Sequence, residues 1–381
     1  MPDPFFYLNM DRSMAQDRIA TRRKKLISQL KAQHLDALLV TSVTNVRYLT
    51  GFTGDSSWLL IGPKLCVLIS DGRYRTQIEE ECPGLEAVIR AVDEKMSARA
   101  AAELASAKAT RVGFEQDVLT IGLYDTISTA SKTLELVPTQ GAVEQLRQVK
   151  DSEEIAEIRI AIGLAERAFA AHRATLRPDL TEREIAHGLE HTIRGLGGVG
   201  AAFPPIVAVG DRAALPHYRA GALRVGQSGL LLVDWGAVSA GGYHSDLTRV
   251  IVTSKLSPKL EQVYGVVLKA QLAAIAEMGP GVSSRKVDSA ARSVIESAGF
   301  GKYFSHGLGH GIGLEIHEAP RMSPQGETTL QPGMVITVEP GIYLPGVGGV
   351  RIEDDVLITR DGAEVLTSVP KSWESCRVDF V

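Results

Sequence analysis

Cysteine is scarce in this chain. Cys66, Cys82 and Cys376 are odd in number, widely spread and without C-x-x-C spacing, which argues against a disulfide framework and against a thiolate zinc site. No apolar run reaches the ~18 residues of a membrane span. The first residues, MPDPFFYLNMDR, lack a basic stretch followed by an apolar core, so they do not read as a secretory signal and the expected location is the cytoplasm. Neither sign of charge dominates: the net charge is -4 and the pI about 6.2. A general nucleic-acid or membrane-surface binder would carry a basic face, so neither partner is expected. The one basic cluster, Arg22-Arg23-Lys24-Lys25, reads as the solvated face of an amphipathic helix.

What is present is ordinary for a globular protein: 44% hydrophobic and 23% charged residues over 381 positions. That length allows two to three domains of ~150 residues. Residues 13–140 alternate helical and strand-like patterns. A helix is expected from Met14 to about His34, with Ile19, Leu26, Ile27 and Leu30 on one face. DALLVTS, SWLLIG and LCVLISD follow as short apolar strands, and LEAVIRA and RVGFEQ as later ones. This predicts an α/β domain over 1–150 and a second domain over 151–381, with the boundary at about 145–155.

The second domain echoes itself. Asp151 with Glu154 predicts a capping box opening a long helix, with Ile155, Ile158, Ile162 and Phe169 at helical spacing. RPDLTEREIA at 177–186 lines up with GPGVSSRKVD at 279–288, an offset of 102 that also sets Ile193 on Ile295 and Gly197 on Gly299. Thr181 with Glu184 predicts another capping box, and Ser257 before Pro258 another helix start, closed by Gly279 and Pro280.

The echo carries acids. LLLVDWG and GYHSDLTRVIV hold Asp234 and Asp246; MVITVEPG and GVRIEDDVLIT hold Glu339 and Glu353. Glu339 follows Asp234 by 105 residues and Glu353 follows Asp246 by 107. Carboxylates on apolar strands must be paired or hold metal, since an isolated buried one would take up a proton. SHGLGHGIGLEIHEAP adds His306, His310 and His317. One imidazole with four carboxylates favours an oxygen-rich dinuclear site with ions ~3.5–4 Å apart. Such a donor set favours Mn2+ or another divalent ion over structural zinc. GLGHGIG lacks the spacing of a nucleotide-phosphate loop, and HEAPR is not H-E-x-x-H.

These motifs resemble, in order and context, the pita-bread metallopeptidases, a family that includes methionine aminopeptidase, aminopeptidase P, prolidase and the metal-free creatinase. NVRYLTGFTG and SDGRYRTQ look like the N-terminal domain of the aminopeptidase P, prolidase and creatinase branch. The resemblance implies a creatinase-like α/β N-terminal domain and an α+β pita-bread catalytic domain with internal pseudo-duplication. It implies two divalent ions, Mn2+ first and Co2+ or Zn2+ as alternatives, on Asp234, Asp246, His310, Glu339 and Glu353. Asp234 would bind one ion, Asp246 and Glu353 would bridge, and His310 with Glu339 would complete the second. Glu339 would also relay a proton, and His217 and His317 would act near the scissile peptide. Tyr343 and Arg351 fall where the family places pocket or supporting residues, and His306 reads as structural or pocket-lining. Asp234 and Asp246 stand one residue further apart than is usual in the family, an excess that Gly241-Gly242 can absorb in the turn.

The implied activity is hydrolysis of Xaa-Pro bonds, with an Xaa-Pro aminopeptidase put first. Xaa-Pro dipeptidase is the alternative. A creatinase-like amidinohydrolase or a non-catalytic binding protein fits five retained ligands less well. The implied substrate is a peptide with proline at its second position, and the implied assembly a homodimer.

Overall fold

The computed structural model describes residues 4–130 and 133–380, with side chains over 16–129 and 133–380. The chain divides into two compact units, Met1–Arg147 and Gln148–Val381. Among the described residues, no helix is long and apolar enough to cross a membrane.

The first unit is built on a six-stranded sheet ordered Glu86–Ile89, Leu65–Ser70, Trp58–Gly62, Ala37–Val40, Arg111–Glu115, Glu135–Thr139. The three strands Ala37–Val40, Trp58–Gly62 and Leu65–Ser70 pair antiparallel, and the others join in parallel. All four residues of Ala37–Val40 are fully buried, as a central strand covered on both faces requires. The strand Glu135–Thr139 was not expected from the pattern, because Pro138 interrupts it. Proline is tolerated at the sheet edge, where one side of the backbone needs no partner, and this strand is an edge.

The first helix runs Pro4–Ala32, starting earlier than the expected Met14. Pro4 occupies the first helical position, where the missing N–H costs nothing. The basic cluster on this helix is only half solvated. Lys24 and Lys25 are exposed, but the Arg22 guanidinium lies 4.2 Å over the Tyr48 ring and Arg23 Nε donates to Leu49 O at 2.7 Å. The planar guanidinium stacks on aromatic faces in a way an ammonium does not.

The second unit contains the repeat. Its two second helices, Glu182–Gly195 and Ser284–Ser297, stand 102 residues apart at both ends. Each turns out through a left-handed glycine, Gly197 (φ 97) and Gly299 (φ 81). The capping boxes at Asp151/Glu154 and Thr181/Glu184 form, and Ser257 caps a helix with Pro258 at its start. Ile193 and Ile295 are both fully buried.

Two sheets carry the acids. Leu230–Trp235 lies between Ile206–Val209 and Leu247–Val252, all antiparallel, with Thr248 opposite Asp234. Every residue of Leu230–Trp235 and Leu247–Val252 is buried. In the other sheet Val335–Val338 pairs with Asp354–Ile358, Thr337 facing Asp355, and Gly309–Gly311 lies on its other side. A bridge between Thr248 and Glu353 joins the two sheets. The extra residue between Asp234 and Asp246 stays in the turn. Gly242 takes φ 80, Gly242 N–H returns to Ser239 O, and the pairing from Leu247 onward is unbroken.

Candidate metal centre

The bridge between the two sheets brings their acids together. Asp246, His310 and Glu353 are buried, and each offers one donor atom within 4.8 Å of the others. His310 Nε2 lies 3.6 Å from Asp246 Oδ2 and 3.5 Å from Glu339 Oε1. The other ring nitrogen, Nδ1, faces Gly311 O at 3.0 Å. If it carries the proton to that carbonyl, Nε2 turns a lone pair toward the acids.

Asp234 enters the cluster through Arg351, whose Nη2 donates to Asp234 Oδ2 at 2.5 Å. Arg351 Nε donates to Thr248 Oγ1 at 3.0 Å, and Thr248 Oγ1 donates to Glu353 Oε2 at 2.7 Å. Asp355 Oδ2 accepts the Asp246 N–H at 3.1 Å. One buried guanidinium thus faces a group of acids that outnumbers it.

That imbalance shows in the acids' proton affinities. Burial, then Glu353 and Asp234, pushes Asp246 well above the carboxylate range. Burial, then Glu339 and Asp234, does the same to Glu353. Burial raises Glu339 to about 8 against the pull of Arg351. Asp234 is raised by burial, although Arg351 opposes it. His310 is pushed down to about 4 by burial, so its imidazole is neutral and able to ligate. Asp234 Oδ1 and Asp246 Oδ1 are buried without a hydrogen-bond partner. Buried carboxylate oxygens left bare, beside a neutral imidazole, fit divalent cations: positive charge would satisfy the lone pairs and restore ionisation.

The remaining expected residues surround this cluster. The His317 ring meets the His310 ring edge-on at 4.4 Å and is exposed. His217 is exposed too, and near enough for its charge to act on Asp234, His306 and His317. Tyr343 and Arg351 are buried. Tyr343 Oη accepts from Arg351 Nη1 at 2.8 Å and meets His306 Nε2 at 2.8 Å. Arginine can only donate, so the single phenol proton points to His306. Burial, then Arg351, lowers His306 to about 4, which keeps that nitrogen an acceptor.

Sequence reasoning missed Thr248, Thr337 and Asp355. Thr337 Oγ1 accepts the His310 N–H at 3.0 Å. Period-two alternation from Glu353 was the available signal for Asp355, since residues two apart on extended backbone share a face.

The profile of Metallopeptidase family M24 matches residues 156–360, and that of the Creatinase/Prolidase N-terminal domain matches residues 22–149. The chain is 35% identical over 350 residues to a Pyrococcus horikoshii protein named Xaa-Pro dipeptidase, covering 91% of this chain and 97% of that one. The solved structure of an Xaa-Pro dipeptidase from Bacillus anthracis superposes with a TM-score of 0.90 at 37% identity, covering 95% of this chain and all (100%) of that one. An X-Pro aminopeptidase from Thermotoga maritima gives 0.84 at 36% identity, covering 94% and 100%. The fold is a creatinase-type N-terminal domain followed by the pita-bread domain. The chain belongs to metallopeptidase family M24 and is a hydrolase of peptides.

Proposed function

We propose that this enzyme is an Xaa-Pro dipeptidase, dependent on two divalent ions held by Asp234, Asp246, His310, Glu339 and Glu353. The observation that carries the reading is the convergence of Asp246, His310 and Glu353 within 4.8 Å, in a chain aligned almost end to end with proteins named Xaa-Pro dipeptidase. The sequence alone put the aminopeptidase first, and these relatives favour the alternative. The aminopeptidase remains the second reading because the Thermotoga maritima structure bears that name.

When bound, the ions supply Lewis acidity and lower the pKa of water toward neutrality. Mn2+ suits four carboxylates and one imidazole, with Co2+ or Zn2+ as alternatives. Asp246 and Glu353 would serve both ions, Asp234 one of them, and His310 with Glu339 the other. Glu339 takes the proton of the attacking water and returns it to the departing nitrogen. In an Xaa-Pro bond that nitrogen is a tertiary amide without an N–H, so the pocket must accept a ring rather than hydrogen-bond an amide proton. His217 and His317 donate to the carbonyl oxygen as negative charge develops there. Arg351, Tyr343 and His306 support Asp234 from behind, so its carboxylate keeps one orientation.

A homodimer in the cytoplasm completes the proposal. The three thiols are all free, which suits a reducing compartment. The deciding experiment assays Ala-Pro, a proline-containing tripeptide and creatine side by side after loading with Mn2+. Cleavage of the dipeptide alone supports the proposal. Preference for the tripeptide replaces it with the aminopeptidase, turnover of creatine with the amidinohydrolase, and turnover of none of them removes the Xaa-Pro specificity.

A further inference from the structure

The loop that carries His217 leaves the strand Ile206–Val209 and returns near Arg224. Glu182, at the first position of the helix Glu182–Gly195, is fully buried beneath it. Its Oε1 accepts the Val209 N–H at 2.8 Å, where the loop begins. Its Oε2 accepts the Tyr218 hydroxyl at 2.9 Å, next to His217, and the Gly221 N–H at 2.8 Å, where the loop returns. The helix backbone adds two more ties, Glu182 N–H to Leu223 O at 3.0 Å and Arg183 N–H to Gly221 O at 3.1 Å. A Cβ on Gly221 would lie 2.8 Å from Tyr218 Oη and 3.1 Å from Glu182 Oε2, so a side chain there would have to displace the two groups that make the grip.

An acid in a first helical turn ordinarily sits in water, where the helix dipole favours it modestly. Glu182 is instead fully buried, and its three hydrogen bonds all go to one loop. The other half of the repeat places a buried acid at a different position of its second helix, Asp288 where the first half has Ala186. Asp288, fully buried on the helix Ser284–Ser297, accepts the Leu308 N–H at 3.2 Å. It also holds Arg292 through both oxygens, at 2.9 and 2.8 Å, and Arg292 donates to Phe304 O at 3.3 Å and His306 O at 3.0 Å. In each half a buried acid on the second helix grips the segment that leads to a histidine of the site.

We propose that Glu182 is a positioning residue for catalysis, fixing the His217 loop through Val209, Tyr218 and Gly221. This rests on the substrate-side role given to His217. Buried charge-assisted hydrogen bonds hold geometry tightly, and a misplacement of about 1 Å near reacting atoms can cost roughly a hundredfold in rate.

The test uses Glu182→Gln and Tyr218→Phe in the full chain, each alone and with His217→Ala. The amide of Gln keeps the volume but turns an NH2 group toward at least one of the donors. Kinetics on Ala-Pro are measured together with metal content and with amide hydrogen exchange over residues 209–223. The expectation for Glu182→Gln is a fall in kcat/KM of roughly ten- to a hundredfold, unchanged metal content and faster exchange in the loop. Added to His217→Ala, it should cost little more, because the two act as a unit. Tyr218→Phe should move the same readouts less, and it carries the test if Glu182→Gln does not fold. Equal fold losses in both backgrounds, or native exchange with full kcat/KM, overturn the proposal. Full activity of His217→Ala alone overturns instead the role given to that histidine.

Discussion

Stripping divalent ions from this enzyme should make mildly alkaline solution destabilising, and the sign follows from its buried acids. Glu339 is raised by burial from 4.5 to about 8, and Asp246 and Glu353 are raised as well. A carboxyl with a raised folded-state pKa binds its proton more tightly in the folded protein. Its contribution is complete below the unfolded value and is lost as pH climbs through the folded one. His306 and His310 work the other way, since burial lowers each to about 4 from 6.5. Their penalty applies at low pH and has vanished above 6.5. Between about 4.5 and 6.5 the two sets oppose each other; from 6.5 to 8 the acids act without the histidines.

Over that window Glu339 alone removes about 2 kcal/mol, at ~1.4 kcal/mol per pH unit. For a unit of this size that is roughly 4–8 °C of Tm. Divalent ions neutralise the acids and bind only the folded site, so they should raise Tm and remove the decline. The assay is thermal unfolding at pH 6.5 and 8, first in chelator and then with Mn2+. A metal-free Tm that stays level or climbs across this interval would refute the reasoning.

Three further outcomes are expected. Asp246→Asn should abolish Ala-Pro hydrolysis and weaken metal binding by more than the roughly 10–100-fold that losing an outer partner costs; full activity would count against a bridging role. His317→Ala should lower kcat by about 10²–10³, as loss of an oxyanion donor does, with metal content kept. Parallel loss of metal would make His317 a ligand instead. Thr248→Val should cost about 1–3 kcal/mol of stability by leaving Arg351 Nε without its acceptor, and unfolding in denaturant with an unchanged midpoint would exclude that.

Much of the fold and of the cluster was legible because both rest on local pattern. Alternating apolar runs marked the strands, and capping residues marked three helix starts of the second unit. The repeat offset of 102 survives in both helices. The same echo, at offsets of 105 and 107, paired the acids, so their convergence was anticipated from duplication before any contact was known. What stayed hidden depends on partners distant in sequence. Glu182 reads as one more acid in a first turn, and nothing local says that its three donors come from positions 209–221. Thr248 is an ordinary strand threonine until Arg351, 103 residues later, makes it the link to Glu353. The dipeptidase reading was displaced by the aminopeptidase for a similar reason, since the residues named are shared by both.

The run Glu353-Asp354-Asp355 shows how far the same chemistry can diverge within three residues. Asp354 turns to the face where Arg249 donates to it at 2.7 Å, Thr367 at 2.7 Å and Gln271 at 2.6 Å. Lys371 completes that set at 2.5 Å. Burial alone would raise Asp354, yet Arg249 and Lys371 hold it at about 2. Its neighbours turn to the other face, and burial drives both Glu353 and Asp355 well above the usual range. One face therefore brings cations enough for its acid, whereas the other sets the single guanidinium of Arg351 against several acids. A fold that built positive charge against Asp354, and left Glu353 among Asp234, Asp246 and Glu339, has reserved the second face for charge from outside the chain. Replacing Glu353 would remove a proposed ligand, whereas replacing Asp354 would strand the buried guanidinium of Arg249, whose Nη1 also donates to Glu353 O at 2.5 Å. The proposed metal ligand and the ion pair beside it thus share one length of backbone, so the geometry of the acid cluster is bound to the stability of the sheet that carries it.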